Sequence, residues 1–256
     1  MSEKGRWAGR HAGKDELRHD VWRRLEAEGV AIGPAWSMIP NFVGADVAAW
    51  RLASLDAWKK ARTVKTNPDH PQIPIRLRAL YQGKTVYTPV PYLTRDFPYL
   101  RLDPKQLEKQ GVSFELAATA QGFMEHGRRV EFEEIEPLDF CVVGSVAVGR
   151  GGGRTGKGAG FADLETGIFR ELGIVNDATP MATTVHSSQL VPDDRVVIAS
   201  HDSPLDYVAT EAALIVTGNV MPRPAGVAWD KVRSDQFESI PFLSRLRDRM
   251  LARAGG

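Results

Sequence analysis

Seven glycines lie between Gly149 and Gly160, interleaved with Arg150, Arg154 and Lys157, and Asp163 closes the run. Glycine loses more backbone freedom on folding than any other residue, so such a run is costly unless the chain must turn sharply or lie against a ligand. An apolar segment over 140–148 precedes it and reads as a strand; a helix-like segment over 161–172 follows. Strand, glycine-rich loop and helix N-terminus together offer unpaired N–H groups and the positive end of a helix dipole to an anion. This stretch is therefore a candidate phosphate cradle, with the three cations adding full charge.

Two familiar patterns fit it incompletely. Gly151, Gly156 and Lys157 have Walker A spacing, but Gly158 stands where a magnesium-binding Ser or Thr belongs. Gly151, Gly153 and Gly156 match a dinucleotide fingerprint, yet the mid-chain position and the arginine inside the loop argue against that use. The competing reading is a flexible surface linker, but linkers seldom join a buried strand to an amphipathic helix.

Composition sets outer bounds. A chain of 256 residues, 43% hydrophobic and 25% charged, has the balance of a globular protein with one full core. A formal net charge of +1 supplies no electrostatic drive towards nucleic acid or an acidic membrane. The single cysteine, Cys141, sits in an apolar segment and reads as a small buried hydrophobe. No run has the length of a membrane span and the amino terminus carries no apolar leader core, which leads to the expectation of a soluble cytoplasmic protein.

Along the chain, 1–13 reads as a flexible tail and 14–256 as a single domain. A helix is expected over 14–28, with Leu17, Val21, Trp22 and Leu25 at helical spacing and Lys14 and Arg18 on one face. A second is expected over 46–60, with Val47, Trp50, Leu55 and Trp58 towards the core. Strands are expected over 62–65, 84–89, 129–132, 182–186 and 195–199, and helices over 75–82, 107–110 and 242–253. The run 212–216 is apolar enough for a strand buried on both faces. Prolines at 68 and 71 make Asn67, Asp69 and Gln72 part of a loop after the first strand. Strands alternating with helices imply an α/β, three-layer αβα domain around a largely parallel sheet. The loop from His201 to Asp206 then falls where ligands bind in such sheets, beyond strand carboxyl ends.

From Gly152 to Asp163 the residues resemble the signature loop of the 5-formyltetrahydrofolate cyclo-ligase family, Gly-aromatic-Arg-Leu-Gly-Arg-Gly-Gly-Gly-Tyr-Tyr-Asp. Gly152, Arg154, Gly156, Gly158, Gly160 and Asp163 match it, Lys157 replaces an arginine and Phe161 a tyrosine. His201, Asp202, Pro204, Leu205, Asp206, Thr210 and Glu211 resemble a second family stretch, and Gln189 and Pro192 a third. The resemblance implies a Rossmann-like domain and an ATP- and magnesium-dependent ligase. In such an enzyme ATP phosphorylates an N-formyl oxygen, an amine attacks the activated carbon, and phosphate leaves as a ring closes. It further implies that Arg154 and Lys157 act on the transferring phosphate, and that Lys14, Arg18, Arg150, Gly152, Gly153, Gly156, Gly158, Gly160 and Phe161 surround the nucleotide. Asp163 and Asp202 are the expected magnesium ligands, one or two carboxylates beside phosphate oxygens being what that ion prefers.

The family's Glu-Val-x-Thr loop, whose glutamate helps hold a pterin, is absent here. Asn67, Asp69 and Gln72 occupy the comparable loop and become the expected substrate contacts, as in a divergent branch of the family. The substrate is then a reduced folate or a related nitrogenous compound, with thiamin-related chemistry one alternative. A nucleotide-binding regulatory protein without turnover is another, and the sequence leaves the oligomeric state open.

Overall fold

In the computed structural model, which describes residues 11–93 and 97–254, short strands alternate their side chains between two separate cores. The strands are β1 (Thr63–Lys65), β2 (Thr85–Pro89), β3 (Tyr99–Leu102), β4 (Arg128–Val130), β5 (Phe140–Val142), β6 (Ala147–Gly149), β7 (Arg154–Thr155), β8 (Met181–Thr184), β9 (Leu190–Val191), β10 (Tyr207–Ala209) and β11 (Leu214–Val216). The helices are α1 (Ala12–Ala27), α2 (Ala45–Ala53), α3 (Asp56–Lys60), α4 (Ile73–Tyr81), α5 (Pro104–Lys109), α6 (Phe114–Ala117), α7 (Ala120–His126), α8 (Phe161–Glu171), α9 (Ser234–Ser239) and α10 (Leu243–Ala254). Eight strands form one sheet in the order β11-β10-β8-β5-β1-β2-β3-β4; its centre, from β10 to β2, is parallel and its outer pairs are antiparallel.

Period two decides which helix covers which face. Phe140 and Val142 point into a core shared with Leu52, Trp58, Ile75, Leu80 and Phe123, from α2, α3, α4 and α7. Their neighbours Cys141 and Val143 enter the opposite core, with Ile168 and Phe169 of α8 and Leu243 and Leu246 of α10. Helices on both faces of a mostly parallel sheet make the fold the three-layer αβα arrangement expected from the alternation of elements.

Several elements depart from expectation. The 140–148 segment is two strands: β5 lies in the main sheet, and the chain crosses at Gly144 and Ser145 so that β6 joins a second sheet, β7-β6-β9. A side chain at position 144 would come within 3.0 Å of Ile39 and 3.1 Å of the Asp69 carboxylate, so the crossing is tight. No strand covers 195–199; Pro192 starts a single 3-10 turn over Asp193–Arg195, and β9 precedes it. The 212–216 run is an antiparallel edge rather than a doubly buried strand, because Thr210 closes a turn with Ala213 and leaves Val216 69% exposed. The 46–60 helix breaks at Ser54 and Leu55 into α2 and α3. Its buried stripe is Ala48, Ala49 and Leu52, while Val47 and Trp50 face out.

Helix α1 begins at Ala12, so the expected tail 1–13 is structured at its end; residues 1–10 lie outside the described residues. Leu17, Val21, Trp22 and Leu25 of α1 pack on Val146, Ala147, Val191 and Val196, which clamps the helix over the small sheet. That clamp brings Lys14 and Arg18 to the glycine run.

Candidate functional site

Beyond the carboxyl ends of β1, β2 and β5 lies a cavity of about 370 Å³. Asn67 and Asp69 enter it from the loop after β1, Pro89 and Val90 from the end of β2, and Gly144 from the crossing after β5. This is the ligand position general to open α/β sheets.

The glycine run divides into two parts with different work. Gly149 to Gly153 form the hairpin joining β6 to β7. Gly152, at φ +94°, accepts the Leu205 amide, and a side chain there would meet the Leu205 carbonyl at 2.4 Å. Gly152 and Gly153 do not line the cavity, and Arg150 is exposed on the hairpin, so these three expected nucleotide contacts shape the turn instead. Gly156, Gly158 and Gly160 do line it, with Gly158 at φ +100° and Gly160 at +72°. Gly160 caps α8 without any side-chain hydrogen bond, and Phe161, Ala162 and Asp163 of the first turn line the cavity, at the helix end that favours an anion.

Four cations border the same wall. Arg154 is 4% exposed, and its Nη2 donates to Asp163 Oδ1 at 2.6 Å. Its Nη1 reaches the Gly144 carbonyl at 3.4 Å, and its buried Nε has no partner among the described residues. The Oγ1 of Thr155, also at the cavity, is buried without a partner. Arg18 is buried too: its Nε donates to the Gly156 carbonyl at 2.6 Å and its Nη1 to Asp15, so it ties α1 to the loop. Lys14 pairs with Asp202, whose Oδ2 also accepts the Ala199 amide at 2.7 Å. Lys157 Nζ donates to Asp69 Oδ1 at 3.3 Å and bridges the glycine run to the loop after β1.

The expected metal ligands are compensated by these cations. Asp163 Oδ1 also accepts the Ser203 amide at 3.1 Å, and the described residues contain no cluster of three or more potential ligands. Asp163 Oδ2 nonetheless has no hydrogen bond among the described residues, and Asp202 Oδ1 has only the His201 ring nitrogen near it, at 3.9 Å. Two such oxygens on a wall lined with cations are a donor set that fits an ion held mainly by phosphate oxygens.

The loop after β1 behaves differently from its sequence reading. Gln72 is buried away from the cavity, and its Oε1 accepts the Asn67 amide at 2.6 Å, bracing the loop instead of contacting a ligand. Arg76 of α4 completes the brace, donating to the Asn67 carbonyl at 2.6 Å and the Ala118 carbonyl at 2.7 Å. Asn67 and Asp69 do reach the cavity. Sequence reasoning missed Glu165, Lys231 and Arg233, which also line it. It missed Lys65 as well, whose ammonium lies 2.8 Å from Glu165 Oε2. Glu165 stands four residues past Phe161, so the helical period alone places it one turn inside α8 on the same side.

The model of the 5-formyltetrahydrofolate cyclo-ligase family matches residues 10–211. A methenyltetrahydrofolate synthase domain-containing protein of Mus musculus is 37% identical over 238 residues, covering 92% of this chain and 63% of that protein. Its Bos taurus counterpart is 36% identical over 236 residues, covering 91% and 62%. The chain thus spans a little over three fifths of the length of these relatives. Among solved structures, the 5,10-methenyltetrahydrofolate synthetase of Aquifex aeolicus superposes with a TM-score of 0.52 at 22% identity, over 86% of this chain and 99% of that one, a likeness of fold. With the glycine run, the α8 N-terminus and the loop after β1 all inside the matched span, the chain belongs to the 5-formyltetrahydrofolate cyclo-ligase family.

Proposed function

We propose that the chain is an ATP-dependent cyclo-ligase that activates an N-formyl or amide-type oxygen and closes a ring. The observation that carries this reading is the convergence of Lys14, Arg18, Arg154 and Lys157 with the N-terminal turn of α8 on one wall of the cavity. Buried polar atoms of Arg154 and Thr155 left without partners there are costly unless a ligand satisfies them. ATP, when bound, supplies the phosphoryl group that turns a poor oxygen leaving group into a good one. Arg154 and Lys157 neutralise phosphate charge, Gly156 to Gly160 let the backbone approach, and Asp163 and Asp202 offer oxygens to magnesium.

The reading is tested by titrating ATP with magnesium and following formation of 5,10-methenyltetrahydrofolate from 5-formyltetrahydrofolate by absorbance. Micromolar nucleotide binding with substrate-dependent phosphate release is expected; failure to bind ATP overturns it. A second reading keeps the nucleotide chemistry and changes the substrate to another nitrogenous compound. It is favoured by the loop after β1, where Asp69 is engaged by Lys157 and Gln72 is turned inward. Phosphate release on a non-folate compound, with little on 5-formyltetrahydrofolate, is the outcome that selects it.

A further inference from the structure

The main sheet ends on two strands of opposite character. At one end β4 carries Arg128 and Arg129, both exposed. Charge on an edge strand guards against pairing with another copy, because like charges set opposite each other repel. At the other end β11 is Leu214-Ile215-Val216, and the stretch 212–220 around it holds no charged residue and no proline. Val216 is 69% exposed and Val220 95% exposed, so among the described residues nothing covers this edge. Of the usual guards, shortness is the one it keeps.

The register with β10 fixes which groups the edge presents. The Thr217 amide donates to the Asp206 carbonyl at 3.0 Å, and the Thr210 amide to the Ala213 carbonyl at 2.8 Å. Hydrogen-bonded pairs alternate along an antiparallel ladder, so Val208 and Ile215 form the pair between these two. Leu214 and Val216 therefore turn their N–H and C=O groups away from β10, to the open side. A two-fold axis through Ile215 lays the strand antiparallel to its own copy. Leu214 then faces Val216 of the second copy in two places, each a pair that exchanges both backbone hydrogen bonds. The side chains match on both faces: Leu214 packs towards the core under α2 and Ile215 towards the core under α8. Glu211, the nearest charge on this segment, falls opposite Asn219.

We infer that β11 is the interface of a two-fold homodimer, in which two eight-stranded sheets join edge to edge with Ile215 at the axis. A charge-free edge offers nothing to select a charged peptide, whereas a second copy matches it residue for residue. Three residues a side make a contact smaller than the roughly 1,200 Å² of stable interfaces, so the dimer is weak and forms with concentration.

The test is sedimentation equilibrium on the whole chain. The weight-average mass is expected to be that of a monomer at about 5 μM and to approach twice that at about 1 mM, as a Kd of about 100 μM gives. Val216→Pro removes an N–H that β10 does not use, and Val216→Lys sets a charge on the edge. Both should keep the circular dichroism spectrum of the native fold and stay monomeric at the higher concentration. The register is read by cross-linking. Ile215→Cys places its two copies about 4.5 Å apart between Cα atoms, within disulfide range, and mild oxidation should join them. Val216→Cys lies opposite Leu214 of the second copy and should not join, and Cys141 is buried away from the reaction. A monomeric wild-type protein at the higher concentration overturns the assignment and leaves the edge to a strand of another protein. A dimer that persists in either folded variant, no cross-link in Ile215→Cys, or an equal one in Val216→Cys overturns it too. The pair of cysteine variants decides alone should Val216→Pro and Val216→Lys both unfold.

Discussion

Replacing Arg154 with alanine tests whether the side chain that holds the glycine run together also meets phosphate. The guanidinium spans β7, the crossing at Gly144 and the first turn of α8, through Gly144 and Asp163. Removing one member of a buried pair costs about 3–5 kcal/mol when the survivor is stranded without water. Asp163 is 17% exposed and keeps the Ser203 amide, so hydration offsets part of that loss and about 2–3 kcal/mol is expected. In a chain of this size that corresponds to a Tm lowered by about 4–12 °C. Nucleotide binding loses a charge-assisted contact of about 1.5–3 kcal/mol, or about one to two decades in Kd. Thermal denaturation and calorimetric titration of ATP measure the two effects. The double variant Arg154→Ala/Asp163→Ala separates them, because removing the stranded carboxylate should recover part of the stability but none of the affinity. A folded Arg154→Ala protein with unchanged ATP affinity refutes the phosphate role; equal Tm losses in single and double variants refute the ion-pair account.

Lys14→Ala should weaken ATP binding about tenfold, a charge-assisted contact at the lower end of its usual worth, while Tm falls by only a few degrees; unchanged affinity would make Lys14 a partner of Asp202 alone. Burial pushes the Cys141 thiol up to about 12, so native protein should resist thiol reagents at pH 8 and label fully in guanidinium chloride, and rapid native labelling would contradict the packing of β5. The Asp139 carboxyl is held below its usual range: partial burial works to raise it, and the amides of Arg62 and Thr63, with the Thr63 hydroxyl, outweigh that effect. Its contribution is present above the ordinary aspartate range and lost as pH falls through the depressed value, so Asp139→Asn should flatten the acid limb of a stability–pH curve below about pH 4. Asp69→Asn should tighten ATP binding a few-fold by releasing Lys157 from its ion pair at 3.3 Å, and weaker binding would show that the pair holds the loop open for nucleotide.

The three-layer fold is legible because period-two and period-3.6 patterns are local, and each survives packing in α1, α4, α8, α10 and the central strands. What misled was apolar content without periodicity. The 140–148 run reads as one strand because nothing local says that a strand may change sheets. The reason is tertiary: Gly144 must pass between Ile39 and Asp69. The 212–216 run looks fully buried, yet a Thr210 turn too short to cross a helix forces it antiparallel onto an edge. Val47 and Trp50 read as core residues of a single 46–60 helix, whereas α2 buries Ala48, Ala49 and Leu52 and leaves those two exposed.

The site was half legible, and the division follows the range of the forces involved. A glycine run leading into a helix is written into adjacent residues, so Gly156, Gly158 and Gly160 before α8 could be found by spacing, and all three line the cavity. The cations could be named but not placed. Arg18 looks like a surface neighbour of Lys14, and only the packing of Trp22 and Leu25 on the small sheet brings it down onto the Gly156 carbonyl. Gln72 looks like a ligand contact because it shares a proline-rich loop with Asn67 and Asp69. The 3-10 turn over His70–Gln72 rotates it inward, where it satisfies a backbone amide that would otherwise go unpaired. The buried carboxylate beside the cavity, Glu165, lies one turn into α8, with its counter-ion one hundred positions earlier in the chain at Lys65. No local pattern relates those two residues. Their pairing requires β1 and α8 to be laid against each other first, which makes it a consequence of the fold in a way that the spacing of the glycine run is not.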